Sequence, residues 1–227
     1  MKRVYLTVVV VLASLLVLAG CGSAGAGGGT SNTVPPPQNL VGTFALSDGT
    51  AAVMDIQISG SASSSQLSSS ATYTVSGNVR YEGEDFLVSG LYDDVDGSLD
   101  LIALNNATGY RFLFSGTYTE ADGFSGTVRL LDDTGSEVAS GSASAAGVDD
   151  TEKSSVKVFV GTFGGTATGT WNGTLTATRF YGTYADRTYG ESGSFSLAAS
   201  GNSVSETNPN NSLEAGGTVN GDTISGW

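Results

Sequence analysis

Few residues in this chain have side chains suited to chemistry, and their spacing narrows the field further. There is one cysteine, Cys21, and no histidine. Without imidazole the chain lacks the commonest general base, the usual proton switch near neutrality and the favoured zinc ligand. Most hydrolase and metalloenzyme schemes fall with it. The 22 acidic residues remain for acid–base work, as a carboxylate pair of the kind that glycoside hydrolysis requires at a set separation. In so acidic a surface many pairs qualify, so sequence singles out none. Tyr92-Asp93-Asp94-Val95-Asp96-Gly97 looks a little like a calcium loop, but Tyr92 stands at the first ligand position and Ala103 at the twelfth, where carboxylates belong. A hairpin turn is the expected reading. No catalytic residue, metal ligand or cofactor site is assigned, and a role other than catalysis is expected.

The residues around Cys21 are more specific. Lys2 and Arg3 precede an apolar stretch, Val4 to Leu18, broken only by Tyr5, Thr7 and Ser14. This is the anatomy of a signal peptide. The stretch falls short of the ~20 apolar residues a permanent spanning helix needs, and small residues follow it in place of a charged stop. Leu18-Ala19-Gly20-Cys21 resembles the lipobox of bacterial lipoproteins, in which a small residue precedes a cysteine that is diacylated, freed by cleavage before it and usually acylated again. The resemblance covers the first 21 residues. It implies that residues 1–20 are removed and that Cys21, lipidated with palmitate-type chains, begins the mature protein. A thioether there makes the lone thiol inert, and a single cysteine leaves no disulfide within the chain. Two or three acyl chains, each burying CH₂ groups at roughly 0.8 kcal/mol, hold firmly where one binds marginally. Gly22, which is not Asp, implies by resemblance to enterobacterial sorting an outer-membrane address in a Gram-negative cell. Asn106-Ala107-Thr108 and Asn172-Gly173-Thr174 match glycosylation sequons, and in a bacterial chain they count as chance.

Charge limits the partners. Removing Lys2 and Arg3 leaves seven basic residues against 22 acidic ones. Nucleic-acid affinity rests on cations that displace counterions from phosphates, so nucleic acid is excluded as a partner. Most acids, such as Asp93, Asp94, Asp96, Asp132, Asp133, Asp149 and Asp150, fall in apparent turns, where solubility and turn chemistry explain them.

The elements that would position any site are strands. Residues 21–39 read as the lipidated start and a tether, Gly- and Ser-rich and then stiffened by Pro35-Pro36-Pro37; Ser59 to Ser70 and Ser200 to Gly217 are further low-complexity stretches. Elsewhere the chain alternates with period two: Tyr73, Val75, Gly77, Val79 and Tyr81 share one face, as do Tyr110, Phe112, Phe114, Gly116 and Tyr118. That is the pattern of half-buried strands. Turns are predicted at Asp48-Gly49, Glu82-Gly83, Asp96-Gly97, Asp122-Gly123 and Thr134-Gly135.

A five-residue pattern, apolar-x-Gly-x-apolar, recurs at Leu40–Phe44, Val75–Val79, Val88–Tyr92, Phe114–Tyr118, Phe124–Val128, Phe159–Phe163, Trp171–Leu175 and Phe180–Tyr184, with a partial copy at Ile224–Trp227. Mid-strand glycine is unfavourable unless the sheet coils or turns a corner, and flanking aromatics can cover its exposed backbone. The expected fold is therefore all-β: an antiparallel up-and-down barrel of about 10–12 strands, with a two-sheet β-sandwich as the alternative. These hairpins resemble, in pattern alone, those of lipocalin-like and avidin-like barrels and the barrel domains of surface lipoproteins related to transferrin-binding protein B. No ligand-binding residue is carried over from them. A single domain over residues 40–227 is expected, with Val148–Lys153 as a loop inside it. Residues 40–145 alone suffice for eight strands, and Val41-Gly-Thr-Phe is echoed at Val160-Gly-Thr-Phe. A transmembrane barrel is disfavoured, because Gly, Ser and Thr interrupt any lipid-facing band. The expectation for function is a lipid-anchored envelope module that binds a small apolar molecule, a glycan or a protein, and the alternative is a structural or assembly component with no small ligand.

Overall fold

The computed structural model describes residues 33–60, 71–205, 216–221 and 223–226. The predicted leader, Cys21, most of the predicted tether, the greater part of both later low-complexity stretches and Trp227 lie outside them. All five predicted turn glycines, Gly49, Gly83, Gly97, Gly123 and Gly135, have φ between 69° and 88°, the left-handed region that glycine enters without steric cost. They help to cut the first half of the chain into β1 (Asn39–Leu46), β2 (Ala51–Ser59), β3 (Thr72–Tyr81), β4 (Glu84–Asp93), β5 (Ser98–Leu104), β6 (Arg111–Thr119), β7 (Gly123–Leu131) and β8 (Glu137–Val148). Each pairs antiparallel with the next, and β8 returns to pair with β1. The result is a closed barrel.

The acidic stretch after β8 contains one helical turn, α1 (Asp150–Lys153), with Asp149 accepting the backbone N–H groups of Thr151 and Glu152 as an N-cap does. A second antiparallel sheet follows: β9 (Lys157–Phe163), β10 (Gly169–Leu175), β11 (Arg179–Asp186), β12 (Glu191–Ser200), β13 (Ser203–Ser205), β14 (Gly216–Asn220) and β15 (Thr223–Gly226). The expected antiparallel, hairpin-connected barrel is present. The strands, fifteen among the described residues, divide into a ring of eight and a sheet of seven where one ring of 10–12 was expected. The physical reason is at β8: once it occupies the free edge of β1, every ladder of the ring is satisfied and no ninth strand can enter.

All eight glycines of the recurring pattern lie within strands. The pair at β6 and β7 shows why they are there. Gly116 and Gly126 stand opposite each other, and a Cβ on Gly116 would lie 2.3 Å from the Ser125 carbonyl oxygen and 2.6 Å from the Gly126 Cα. The strands coil so tightly here that a methyl group has no room. The Phe124 ring lies over the same spot, shielding backbone that would otherwise meet water. In the second sheet Gly173 stands opposite Gly182, beneath the Phe180 and Phe195 rings.

Inward side chains fill the ring. Phe112 has Phe44 at 4.9 Å between centroids, Phe86 at 5.0 Å and Tyr81 at 5.2 Å, within the range of favourable tilted and edge-on aromatic pairs. Leu40, Met54, Ile56, Val79, Tyr92 and Leu99 are fully buried around them. The second sheet has its own core of Phe159, Phe180, Leu197, Val204 and Val219.

The second sheet packs its outer face on the outer face of β1 and β8, so β1 is buried on both sides. Val41, Ala146 and Val148 meet Tyr181 there. The contact also buries polar groups: Asn172 Nδ2 donates to the Phe44 carbonyl at 2.8 Å, and the Thr183 hydroxyl donates to Asn172 Oδ1. Asn172→Ala leaves that hydroxyl dry and unpaired and removes one of the two donors to the Phe44 carbonyl, which keeps its ladder partner Ala52, and should cost about 2 kcal/mol. The Thr43 hydroxyl is buried with no partner among the described residues, so Thr43→Val, which keeps the shape, should gain about 1 kcal/mol. Urea midpoints of the two variants should move in opposite directions.

Four tyrosines make the ring and its contact sensitive to alkali. Burial pushes the Tyr118 hydroxyl up to about 12 and raises Tyr81, Tyr92 and Tyr181 as well. A folded-state value above the unfolded one, ordinarily about 10, contributes stability that is present below that pH and is lost as pH rises through the folded values. On the acid side, Asp96 is held low by the Ser98 backbone N–H, and Asp132 and Asp149 by the hydroxyls of Thr134 and Thr151. Their contribution is present above the ordinary carboxylate range and is lost as pH falls below it. With no histidine to titrate between, melting temperature should be flat from about pH 5 to 9 and fall above about pH 10; a step near pH 6.5 would contradict this.

Candidate functional site

In a half-buried strand alternate side chains face water, and most outward positions of the ring are polar. Three neighbouring strands depart from this. Leu87 and Leu91 of β4 and Ile102 and Leu104 of β5 point outward and are 58%, 56%, 47% and 36% exposed. Leu113 of β6, half-buried, continues the surface. The register aligns them in rows across the wall: Leu87 opposite Leu104, then Ser89, Ile102, Leu113 and Arg129, then Leu91, Asp100, Ser115 and Thr127.

A hollow of about 490 Å³ opens between these rows, lined by Leu91, Ile102 and Leu113 with Ser89, Asp100 and Arg129 among the polar members. Gly90, Leu101 and Phe114 line it as well. The size matches sites that take a side-chain cluster or a small ligand, and an apolar floor with a polar rim is the arrangement found at binding hot spots. Arg129 also lies 3.5 Å from Glu137, and both ends of that pair are exposed, so it holds the guanidinium only loosely. Within the hollow Asp100 stands opposite Ser115, and no hydrogen bond joins the two side chains among the described residues. The hollow can bind, through apolar contact and a few hydrogen bonds.

The residues singled out by sequence fall elsewhere. Cys21 lies outside the described residues. Tyr92 of the calcium-like stretch points into the ring, its hydroxyl donating to the Val34 carbonyl at 2.8 Å. The three aspartates each turn to a different backbone N–H: Asp93 to Val95, Asp94 to Ala71 and Asp96 to Ser98. They close separate turns and do not converge, and among the described residues no three acids gather as a metal site would require. Of the two sequons, Asn172 is fully buried between the sheets, where no glycan fits.

Sequence reasoning missed the outer wall, although a signal was present. Phe86-Leu87-Val88 and Leu101-Ile102-Ala103-Leu104 are continuous apolar runs, which are expected of strands covered on both faces. Here one face is the ring's interior and the other is open. No known protein family, curated protein or solved structure matches this chain.

Proposed function

We propose that this chain is a lipid-anchored envelope lipoprotein whose barrel holds a partner protein at the membrane through its outer wall. The observation that carries the reading is a contrast of the two faces: the ring's interior is packed with its own aromatic side chains, while the outer wall of β4 to β6 exposes leucine and isoleucine around a hollow. A lumen filled in this way favours a surface-binding role over carriage of a small apolar molecule. Contiguous exposed apolar surface on an otherwise polar barrel is a mark of protein contact. Lipid at Cys21 and a tether reaching on the order of 25 Å would keep that wall near the membrane and free to turn toward a neighbour.

Two results test the proposal. Cys21→Ser should move the protein from the membrane fraction to the soluble one, and retention in the membrane would reject the lipid anchor. A photo-crosslinking residue at Ile102 should trap one discrete adduct in intact cells, and Leu91→Asp should remove it. The same residue at Arg80, exposed on β3, should trap none. Equal labelling from both positions would reject the outer wall as the contact surface.

A further inference from the structure

The second sheet is a ring that lacks one strand. Its seven strands are joined in order, each antiparallel to the next. An odd number of alternating strands leaves the two edges, β9 and β15, running in the same direction. They therefore cannot close on each other with the antiparallel ladder used everywhere else in the molecule. The sheet nevertheless curls almost shut. Lys157 at the start of β9 reaches across to the Gly221 carbonyl beside β15, with Nζ donating at 3.2 Å. An opening that one lysine side chain can span is about the width of a single inserted strand, two strand spacings of ~4.8 Å.

The closed ring shows what such a strand does. Val41-Gly42-Thr43-Phe44 of β1 has β2 on one side and β8 on the other. Val160-Gly161-Thr162-Phe163 of β9 has β10 on one side, and among the described residues no ladder joins it on the other. In the ring, the inward positions of β8 opposite Leu40, Gly42 and Phe44 are Gly147, Ala145 and Ala143, because the tight coil at Gly42 leaves space for small side chains alone. A Cβ on Gly42 would lie 2.4 Å from that of Ala145. The sequence of β9 also carries little of the usual edge protection. It is seven residues long, contains no proline and has one lysine, at its first position, whereas proteins usually blunt such an edge. Val158 and Val160 stand outward on it, and Val160 is 69% exposed.

We infer that the second sheet is a receptor for one extended segment of a partner polypeptide, inserted antiparallel to both β9 and β15 to complete an eight-stranded ring. Main-chain hydrogen bonds to two edges supply the affinity, as in other strand-addition complexes. The coil at Gly161 supplies the selectivity: inward residues of the segment are glycine, alanine or serine, and its outward residues are unrestricted. A second copy of this chain does not supply the segment: its barrel strands are already paired on both sides, its β15 is four residues long, and its β9 carries Phe159 and Phe163 on the inward face, where small side chains alone fit. The site is separate from the outer wall of β4 to β6, and either can fail without the other.

A synthetic peptide with the sequence of residues 139–148, all of β8 but its first two residues, tests this on the full-length mature chain in detergent. Hydrogen exchange should slow at least tenfold at both β9 and β15 on adding the peptide, with one peptide bound per chain. A peptide with phenylalanine at the positions of Ala143 and Ala145, and one with proline at the position of Ser144, should give no slowing. Unchanged exchange at both edges would overturn the inference. So would equal slowing by the phenylalanine peptide, which would signal unselective edge pairing. Slowing of β9 alone that depends on protein concentration and needs no peptide would overturn it as well, assigning the edge to a second copy.

Discussion

Gly116→Ala is expected to abolish folding of the ring, with no cooperative thermal transition and unprotected amides throughout β6 and β7. The added methyl would meet the Ser125 carbonyl oxygen and the Gly126 Cα. Both are backbone atoms held by the β6–β7 ladder, so neither can retreat without breaking hydrogen bonds on both strands. A clash that no rotamer change relieves belongs with the exceptional losses above ~4 kcal/mol, which approach the whole stability of a small domain. Gly164→Ala is the control: its Cβ meets nothing within 4 Å and its φ carries no strain, so it should shift stability by less than ~0.5 kcal/mol. A folded Gly116→Ala protein with near-normal melting would refute the view that these glycines allow the sheet to close.

Phe112→Ala should cost about 3–5 kcal/mol, the second largest effect expected. The ring of Phe112 touches Phe44, Phe86, Tyr81 and Phe114 at once, and the surrounding strands are closed on themselves, which limits how far they can collapse into the space left. If the protein remains folded, that space is apolar and dry, and such cavities take up small aromatic molecules. Benzene or indole should therefore raise the melting temperature of Phe112→Ala while leaving the wild type unchanged. Stabilisation of the wild type by the same compounds would mean that its lumen is not filled by its own side chains.

Much of the local structure was legible. The alternating run Tyr73 to Tyr81 lies wholly within β3 (Thr72–Tyr81), and that from Tyr110 to Tyr118 lies, but for Tyr110, within β6 (Arg111–Thr119). Each predicted Asp-Gly, Glu-Gly or Thr-Gly turn has its glycine in the left-handed region. These features depend on residues within a few positions of one another. The outer-wall site was less legible, because alternation within a single strand shows which residues share a face and does not show which faces lie side by side. Leu87, Ile102, Leu104 and Leu113 become one surface through the register of β4, β5 and β6, which is set by pairing between strands.

By itself the sequence determined the all-β class, the hairpin connections and the inward placement of glycines among large apolar side chains, because period-two alternation and turn chemistry are local and strong. Tertiary structure decided where the ring shuts and what becomes of the polar faces. Thr43, Ser144, Asn172, Thr174 and Thr183 occupy the polar positions of their strands, which alternation alone assigns to water, and all five are buried. They are buried because β8, by closing on β1, leaves the following strands to fold back against the barrel's outside. Partition of fifteen strands into a closed ring and an open sheet is thus a consequence of which edges find each other, and edge pairing joins residues a hundred positions apart along the chain, as with Leu40 and Gly147.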